Sequence, residues 1–218
     1  MSCVFKTFFM NIIVFGATGS SGKQIVQQAL KAGHIVTAIA RNPDDITISH
    51  NNLIIIKADV LNQETFSNAM QNQNAVLSAL GSRNRKPTKL FSEGMQNISI
   101  AMNKHSIRRV ICISASAIET SPKLNFFIKT ATKILQRIFK NPYNDMLRME
   151  QLLKQSNLDW TIIRPPRLTN SAITKNYRFA INDWLKDCTR ISRADLAHFM
   201  LQHINDKKTY QSTIEVAY

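Results

Sequence analysis

The segment Asn-Ile-Ile-Val-Phe-Gly-Ala-Thr-Gly-Ser-Ser-Gly, residues 11 to 22, places three glycines at a spacing suited to holding a phosphate. Gly16 permits a tight turn after a strand, Gly19 lets the backbone approach an anion with no Cβ between, and Gly22 lets the following helix pack closely. The first amides of that helix and the positive end of its dipole face the anion. Thr18, Ser20 and Ser21 add hydroxyl donors. Three glycines alone are a weak pattern. The apolar run before them and the amphipathic helix after them supply the context of a dinucleotide-binding turn.

The end of the next strand selects between cofactors, because a carboxylate there binds the ribose 2′-hydroxyl of NAD whereas arginine accommodates the 2′-phosphate of NADP. Here the strand closes Ala-Ile-Ala-Arg-Asn-Pro, so Arg41 holds that position and NADP(H) is favoured over NAD(H). After the third strand come Asp59 and Val60 on the adenine side. The Asp59 carboxylate either accepts from the adenine amino group or bonds its own backbone in a turn. Leu80, Gly81, Ser82 and Arg83 close the fourth strand, where the sheet's carboxyl edge meets a ligand.

These residues need a scaffold, and the chain supplies one. Runs rich in β-branched residues recur at 11–15, 35–40, 53–57, 75–80, 110–114 and 160–164, with helical patterns at 21–32, 63–71, 88–104, 124–139, 144–155 and 193–205. Such alternation predicts an α/β fold, a Rossmann-like doubly wound and mostly parallel sheet with helices on both faces. At 218 residues a single domain is expected from residue 10 onward, the C-terminal part completing a substrate cleft. Residues 1–9 read as a short N-terminal extension. Ser192 followed by Asp195 predicts a capping box at the last helix.

Composition narrows the class. The hydrophobic share of 44% fits a globular protein. Cys3, Cys112 and Cys188 are odd in number and widely spaced, with no metal-ligand pattern, which points to a reduced, cytoplasmic setting and no metal site. No apolar run reaches the roughly 18 residues of a membrane span. The net charge of +14 attracts anions generally. No zinc-finger spacing, heptad-linked basic region or aromatic RNA-binding run accompanies it, so nucleic acid is a weak reading. The helix at 124–139 sets Lys129, Lys133 and Arg137 opposite Phe127, Ala131, Ile134 and Ile138. A solvated face over a core seam is expected, with a membrane-surface or partner helix as the alternative; a lid over the cleft suits either.

From Met10 onward the chain resembles the atypical short-chain dehydrogenase/reductases of the NAD(P)H-binding, NmrA-like kind, especially their biliverdin reductase B, or flavin reductase, branch. The resemblance rests on Gly-Ala-Thr-Gly-Ser-Ser-Gly at 16–22, Leu-Gly-Ser-Arg-Asn at 80–84 and Ser-Glu-Gly at 92–94 with Asn97. It continues through Leu-Asp-Trp-Thr-Ile-Ile-Arg-Pro-Pro-Arg-Leu-Thr at 158–169 and Ile-Ser-Arg-Ala-Asp-Leu-Ala-His-Phe-Met at 191–200. It implies NADPH as hydride donor, a flavin or linear tetrapyrrole as acceptor, and a serine beside the nicotinamide, which Ser114 matches. Arg167 stands where that branch has a histidine, which weighs against tetrapyrrole reduction. The Tyr-x-x-x-Lys pair of ordinary short-chain dehydrogenases is missing, since Leu147 follows Tyr143.

Hydride transfer to a conjugated acceptor needs little acid–base help, so positioning supplies most of the catalysis. On this reading Ser114 orients the nicotinamide or acceptor, Pro165 and Pro166 shape the cleft wall beside the cofactor, and Arg167 holds an anionic acceptor. A structural role for Ser114 is nearly as strong an expectation. Arg164 is expected to pack or ion-pair, and Glu150 to lie on a helix surface. The acceptor is expected to be a flavin, quinone or tetrapyrrole, and the chain a monomer or weak homodimer. The rival is a non-catalytic NADP(H)-binding redox sensor.

Overall fold

A computed structural model describes residues 9–82, 85–122 and 126–218. Its strands are β1 Asn11–Phe15, β2 Ile35–Ala40, β3 Leu53–Lys57, β4 Ala75–Ser78, β5 Arg109–Ile113, β6 Asp159–Arg164, β7 Arg167–Thr169, β8 Arg178–Ile181, β9 Arg190–Ser192 and β10 Ser212–Ala217. The helices are α1 Ser20–Lys31, α2 Ser92–Lys104, α3 Phe126–Ile138, α4 Lys140–Lys154 and α5 Arg193–Gln202. Eight strands form one sheet in the order β3-β2-β1-β4-β5-β6-β10-β8. Every pairing in it is parallel except β10 with β8. β7 and β9 form a separate parallel pair.

Alternation along each strand divides the core into two layers. Ile12 and Val14 of β1 pack with Ile25 of α1 and Leu196 and Phe199 of α5. Ile13 and Phe15 face the other way, onto Met95 and Ile98 of α2 and Met149 and Leu153 of α4. Helices thus cover both faces. From β1 the chain winds outward through β2 to β3, then returns across β1 to β4, so the winding reverses between β1 and β4. That crevice is where a Rossmann sheet receives its ligand.

Several expectations change. Residues 63–71 form two 3-10 turns, Gln63–Thr65 and Ser67–Met70, rather than one α-helix. The Thr65 hydroxyl donates to the carbonyls of Asn62 at 2.6 Å and Asp59 at 3.3 Å. The Phe66 ring is buried edge-on against Phe15, with centroids 5.0 Å apart. These local bonds and the buried ring hold the segment in tight turns instead of a continuous helix. The helix expected from residue 88 begins at Ser92, β4 ends at Ser78, and β7 to β10 were not anticipated. The N-terminal extension lies outside the described residues except for Phe9.

α3 also departs from expectation, for it has no buried residue. Gln136 ties it to the body: its amide donates to Ala117 O at 3.0 Å, Ile118 O at 3.2 Å and Thr120 Oγ1 at 3.1 Å. No core seam lies beneath its apolar residues.

Two buried charges tie the C-terminal part to the sheet. Arg109 opens β5 at the edge opposite the crevice, with all its donors bound: Nε to Ile204 O, Nη1 to Asp159 O and Thr161 Oγ1, Nη2 to His203 O and Thr209 Oγ1. Burial draws its pKa down to about 10, so it stays charged at neutrality. Asp195, buried at the start of α5, accepts from Thr174 N at 2.9 Å, Lys175 N at 2.7 Å, the Thr174 hydroxyl at 2.9 Å and the Tyr218 hydroxyl at 2.7 Å. Its backbone N–H donates to Ser192 Oγ at 2.9 Å, the expected cap. One carboxylate thereby fastens the loop after β7, the end of β9 and the chain terminus.

Arg109→Ala removes the donor for three main-chain carbonyls and is expected to cost about 3 kcal/mol, a fall of roughly 6–12 °C in Tm for a domain of this size. Calorimetry checks the loss, and dinucleotide affinity well below Tm should be unchanged because Arg109 lies at the far edge.

Burial raises the Asp195 pKa, but the bonds from Tyr218, Lys175 and Thr174 outweigh it and hold the carboxyl below its ordinary 3.8. The folded pKa is depressed, so Asp195 contributes stability fully above that ordinary value and loses it as pH falls through the folded one. Urea midpoints of the wild type and Asp195→Asn should therefore differ at neutral pH and converge below about pH 4.

Candidate functional site

At the crevice between β1 and β4 the glycine loop is shaped by contacts that admit no side chain. Gly16 has φ +75°, and a Cβ there would lie 2.4 Å from Ala79 O. A Cβ on Gly22 would lie 2.1 Å from Gly16 O, so α1 starts almost on top of the turn that leaves β1. The Gly19 N–H donates to Gly16 O at 3.0 Å and closes that turn. Gly19 caps α1 without any side-chain bond, and no acidic residue occupies the first turn. The amides of Ser20, Ser21 and Gly22 have no carbonyl one turn back, so they form an uncapped patch of donors at the positive end of the helix. Gly19 and Ser20 are exposed, with Thr18 and Ser21 half-buried beside them.

The wall of the crevice comes from α2. A Cβ on Gly94 would meet both Val60 methyls at 3.2 Å and Leu80 Cδ1 at 3.3 Å, so this glycine lets α2 approach the ends of β3 and β4. Asn97 Nδ2 donates to Val60 O at 3.0 Å and fixes that loop. A Cβ on Gly81 would meet nothing within 4 Å, so protein packing does not require glycine there. Ser82 follows it, half-buried; Arg83 lies outside the described residues. Arg41 is exposed at the end of β2. Asp59 makes the turn alternative: the Leu61 N–H donates to its Oδ1 at 3.0 Å.

Beyond β5 a buried polar chain begins. The Ser114 N–H donates to Ile163 O at 2.7 Å, and its hydroxyl donates to Glu150 Oε1, also at 2.7 Å. Glu150 is buried, not on a helix surface as expected, because α4 turns it down onto the ends of β5 and β6. Arg164 neutralises it, with Nε 3.0 Å from Oε1 and Nη2 2.5 Å from Oε2, while its Nη1 donates to Glu119 Oε2 at 2.6 Å. Burial alone would lower the Arg164 pKa, but these bonds hold it above the usual arginine range. The same arginine, through its hydrogen bond, holds Glu119 below the usual carboxylate range. Since the Ser114 proton points to Glu150, its lone pairs remain to accept from a ligand N–H.

Glu215 sits beside Arg164 in register on β10. Burial raises its carboxyl although the Leu185 N–H donates to it at 2.7 Å. A cavity of about 290 Å3 opens there, lined by Glu119, Trp160, Arg164, Trp184 and Glu215 among others. The sequence reading missed Glu150, Glu119 and Glu215 as neighbours. Only β10 offered a signal, the alternation of Thr213 and Glu215 with Ile214 and Val216.

Pro165 is buried and its carbonyl accepts from the Ser116 N–H at 3.0 Å, which joins the wall after β6 to the turn after β5. Arg167, exposed, opens β7 and pairs in register with Arg190 of β9, so two exposed arginines stand side by side. Like charges in that position repel unless an anion joins them. Arg190 had no signal in the sequence, because β9 has only three residues. Tyr143 stacks on Phe139 with centroids 5.6 Å apart, and burial raises its hydroxyl pKa. It has no lysine four residues on.

A family model described as NAD(P)H-binding matches residues 16–207. Over 160 residues the chain is 28% identical to the photosystem II assembly factor Ycf39 of Synechocystis. That stretch is 71% of this chain and 44% of the relative, so the chain spans less than half of that protein. Among solved structures, a candidate NADH-flavin reductase from Streptococcus pneumoniae has a TM-score of 0.76 at 22% identity, covering 95% of this chain and 99% of that one. A wide-type short-chain dehydrogenase/reductase from Veillonella parvula, in complex with NADP, has a TM-score of 0.78 at 20% identity, covering 97% and 95%. These likenesses show the Rossmann-type fold. By the family match, spanning the glycine loop to the turn after α5, the chain belongs to the NAD(P)H-binding family.

Proposed function

We propose that this protein is a cytoplasmic, NADPH-dependent reductase that passes hydride to a conjugated acceptor such as a flavin, a quinone or a tetrapyrrole. The observation that carries the reading is the glycine cradle at the switch point, whose uncapped amides fit a pyrophosphate and whose Gly16 and Gly22 admit no side chain. Arg41, with no carboxylate at its position, favours the 2′-phosphate. Val60, Leu80 and Gly81 line the adenine and ribose path, and Ser82 extends it. In Asp59 one carboxylate oxygen is engaged by Leu61, leaving the other to meet the adenine amino group.

A reduced nicotinamide, when bound, would supply the hydride. Ser114 would accept a hydrogen bond from the carboxamide or the acceptor, its hydroxyl oriented by Glu150 and Arg164. Pro165 and Pro166 would form the cleft wall beside the cofactor. Arg167, with Arg190 beside it, holds an anionic acceptor group and stabilises charge as it develops. The acceptor would take its proton from solvent, since Leu147 and not lysine stands four residues after Tyr143.

One observation favours the second reading, a redox sensor that binds NADP(H) without turnover: the Ser114 proton is committed to Glu150, leaving that hydroxyl no proton to give. Stopped-flow oxidation of NADPH with FMN, FAD, a quinone and biliverdin separates the two. Turnover with at least one acceptor is expected, with kcat/KM about tenfold lower in Arg167→Ala, the loss of one charge-assisted contact of about 1.4 kcal/mol. Tight binding without oxidation above background across the panel would establish the sensor.

Gly81→Ala offers a further check. The added methyl meets open space, so Tm should not move, whereas the NADPH Kd should rise as the methyl enters the ligand path. An unchanged Kd would remove Gly81 from the site.

A further inference from the structure

α3 is amphipathic in the sense opposite to a core-covering helix. At 100° per residue, Phe127, Ala131, Ile134, Leu135 and Ile138 share one arc, while Lys129, Lys133 and Arg137 share the other. Gln136, beside the cationic arc, makes the bonds to Ala117, Ile118 and Thr120, so the body of the protein lies on the polar side. The apolar arc therefore points outward: Phe127 is 82% exposed, Ile134 51%, Ile138 43% and Leu135 42%. A contiguous apolar face of this kind on a surface marks a contact with something else.

Charge identifies the occupant. Between Glu119 and Asp145 the chain has no acidic residue and carries Lys123, Lys129, Lys133, Arg137 and Lys140, within a protein of net charge +14. A second copy seated on this face would bring like stripes of cations together and set +14 against +14. A lipid surface with anionic headgroups satisfies both arcs. The 13 residues of α3 span about 20 Å, too short to cross a bilayer and suited to lying in its interface.

We propose that α3 docks the protein on anionic lipid bilayers, with Phe127, Ile134, Leu135 and Ile138 entering the headgroup boundary and Lys133 and Arg137 reaching the lipid phosphates. The rest of the molecule then sits on the water side of the helix, where Gln136 holds it. This inference is independent of the cofactor, since none of its residues belongs to the crevice.

Co-sedimentation of the full chain with vesicles of phosphatidylcholine containing phosphatidylglycerol, and of phosphatidylcholine alone, tests it. Binding to the anionic vesicles is expected, weakening as salt rises. It should weaken about tenfold or more both in Phe127→Ser/Ile134→Ser and in Lys133→Glu/Arg137→Glu. All four side chains are exposed, so the Tm of each variant should match the wild type and report intact folding. Failure to bind anionic vesicles would overturn the proposal. So would binding that both variants retain, because the general positive charge would then account for it. Sedimentation equilibrium showing self-association lost in Phe127→Ser/Ile134→Ser would instead assign the face to a second copy.

Discussion

Everything at the candidate site depends on two backbone approaches that leave no room for a Cβ. Gly22 lies over the Gly16 carbonyl, and Gly16 turns against the Ala79 carbonyl at the end of β4. The first sets the start of α1 onto the end of β1; the second joins β1 to β4 at the point where the winding reverses. A cradle of amides is thus made by steric exclusion before any ligand arrives. Because Gly19 caps the helix with no side chain and no acid lies in the first turn, those amides keep their affinity for an anion.

Around this cradle the fold uses buried charge as fastening. Arg109 at one edge bonds carbonyls and threonine hydroxyls of the segments that follow it, and Asp195 at the start of α5 gathers the amides of Thr174 and Lys175 and the Tyr218 hydroxyl, so the C-terminal strands are held to the sheet by polar contacts as well as by Ile214 and Val216. At the ligand edge, Glu150 and Arg164 neutralise one another and fix the Ser114 hydroxyl. A buried pair of this kind is a weak source of stability but a strong constraint on geometry. It converts a serine at a strand end into an oriented acceptor. That orientation matters for chemistry in which placement, more than acid–base exchange, provides the help.

The parts of the fold readable in the sequence were those with long periodic signals. Six parallel strands and the helix after the glycine loop announce themselves through apolar runs of five or six residues and through Gly16, Gly19 and Gly22. β7 and β9, three residues each, carry no period to read, so the pairing of Arg167 with Arg190 could not be seen. Glu150 looked like a surface carboxylate because residues 144–155 contain many polar groups; only its position over the ends of β5 and β6 makes it buried. The turns at 63–70 mimic a helix in pattern, and the buried Phe66 ring decides against it. α3 was the reverse case: its two faces were plain in the sequence, but which one faces the protein depends on the bonds of Gln136.

The proposed function has the crevice at β1 and β4 holding NADPH in preference to NADH, with Arg41 on the 2′-phosphate. Isothermal titration of the wild type and Arg41→Ala with each dinucleotide tests it most directly. Saturable binding of NADPH is expected, tighter than NADH by about tenfold or more, with the difference abolished in Arg41→Ala while NADH affinity stays the same. No binding of either dinucleotide, or a preference for NADPH that survives the loss of Arg41, would contradict it.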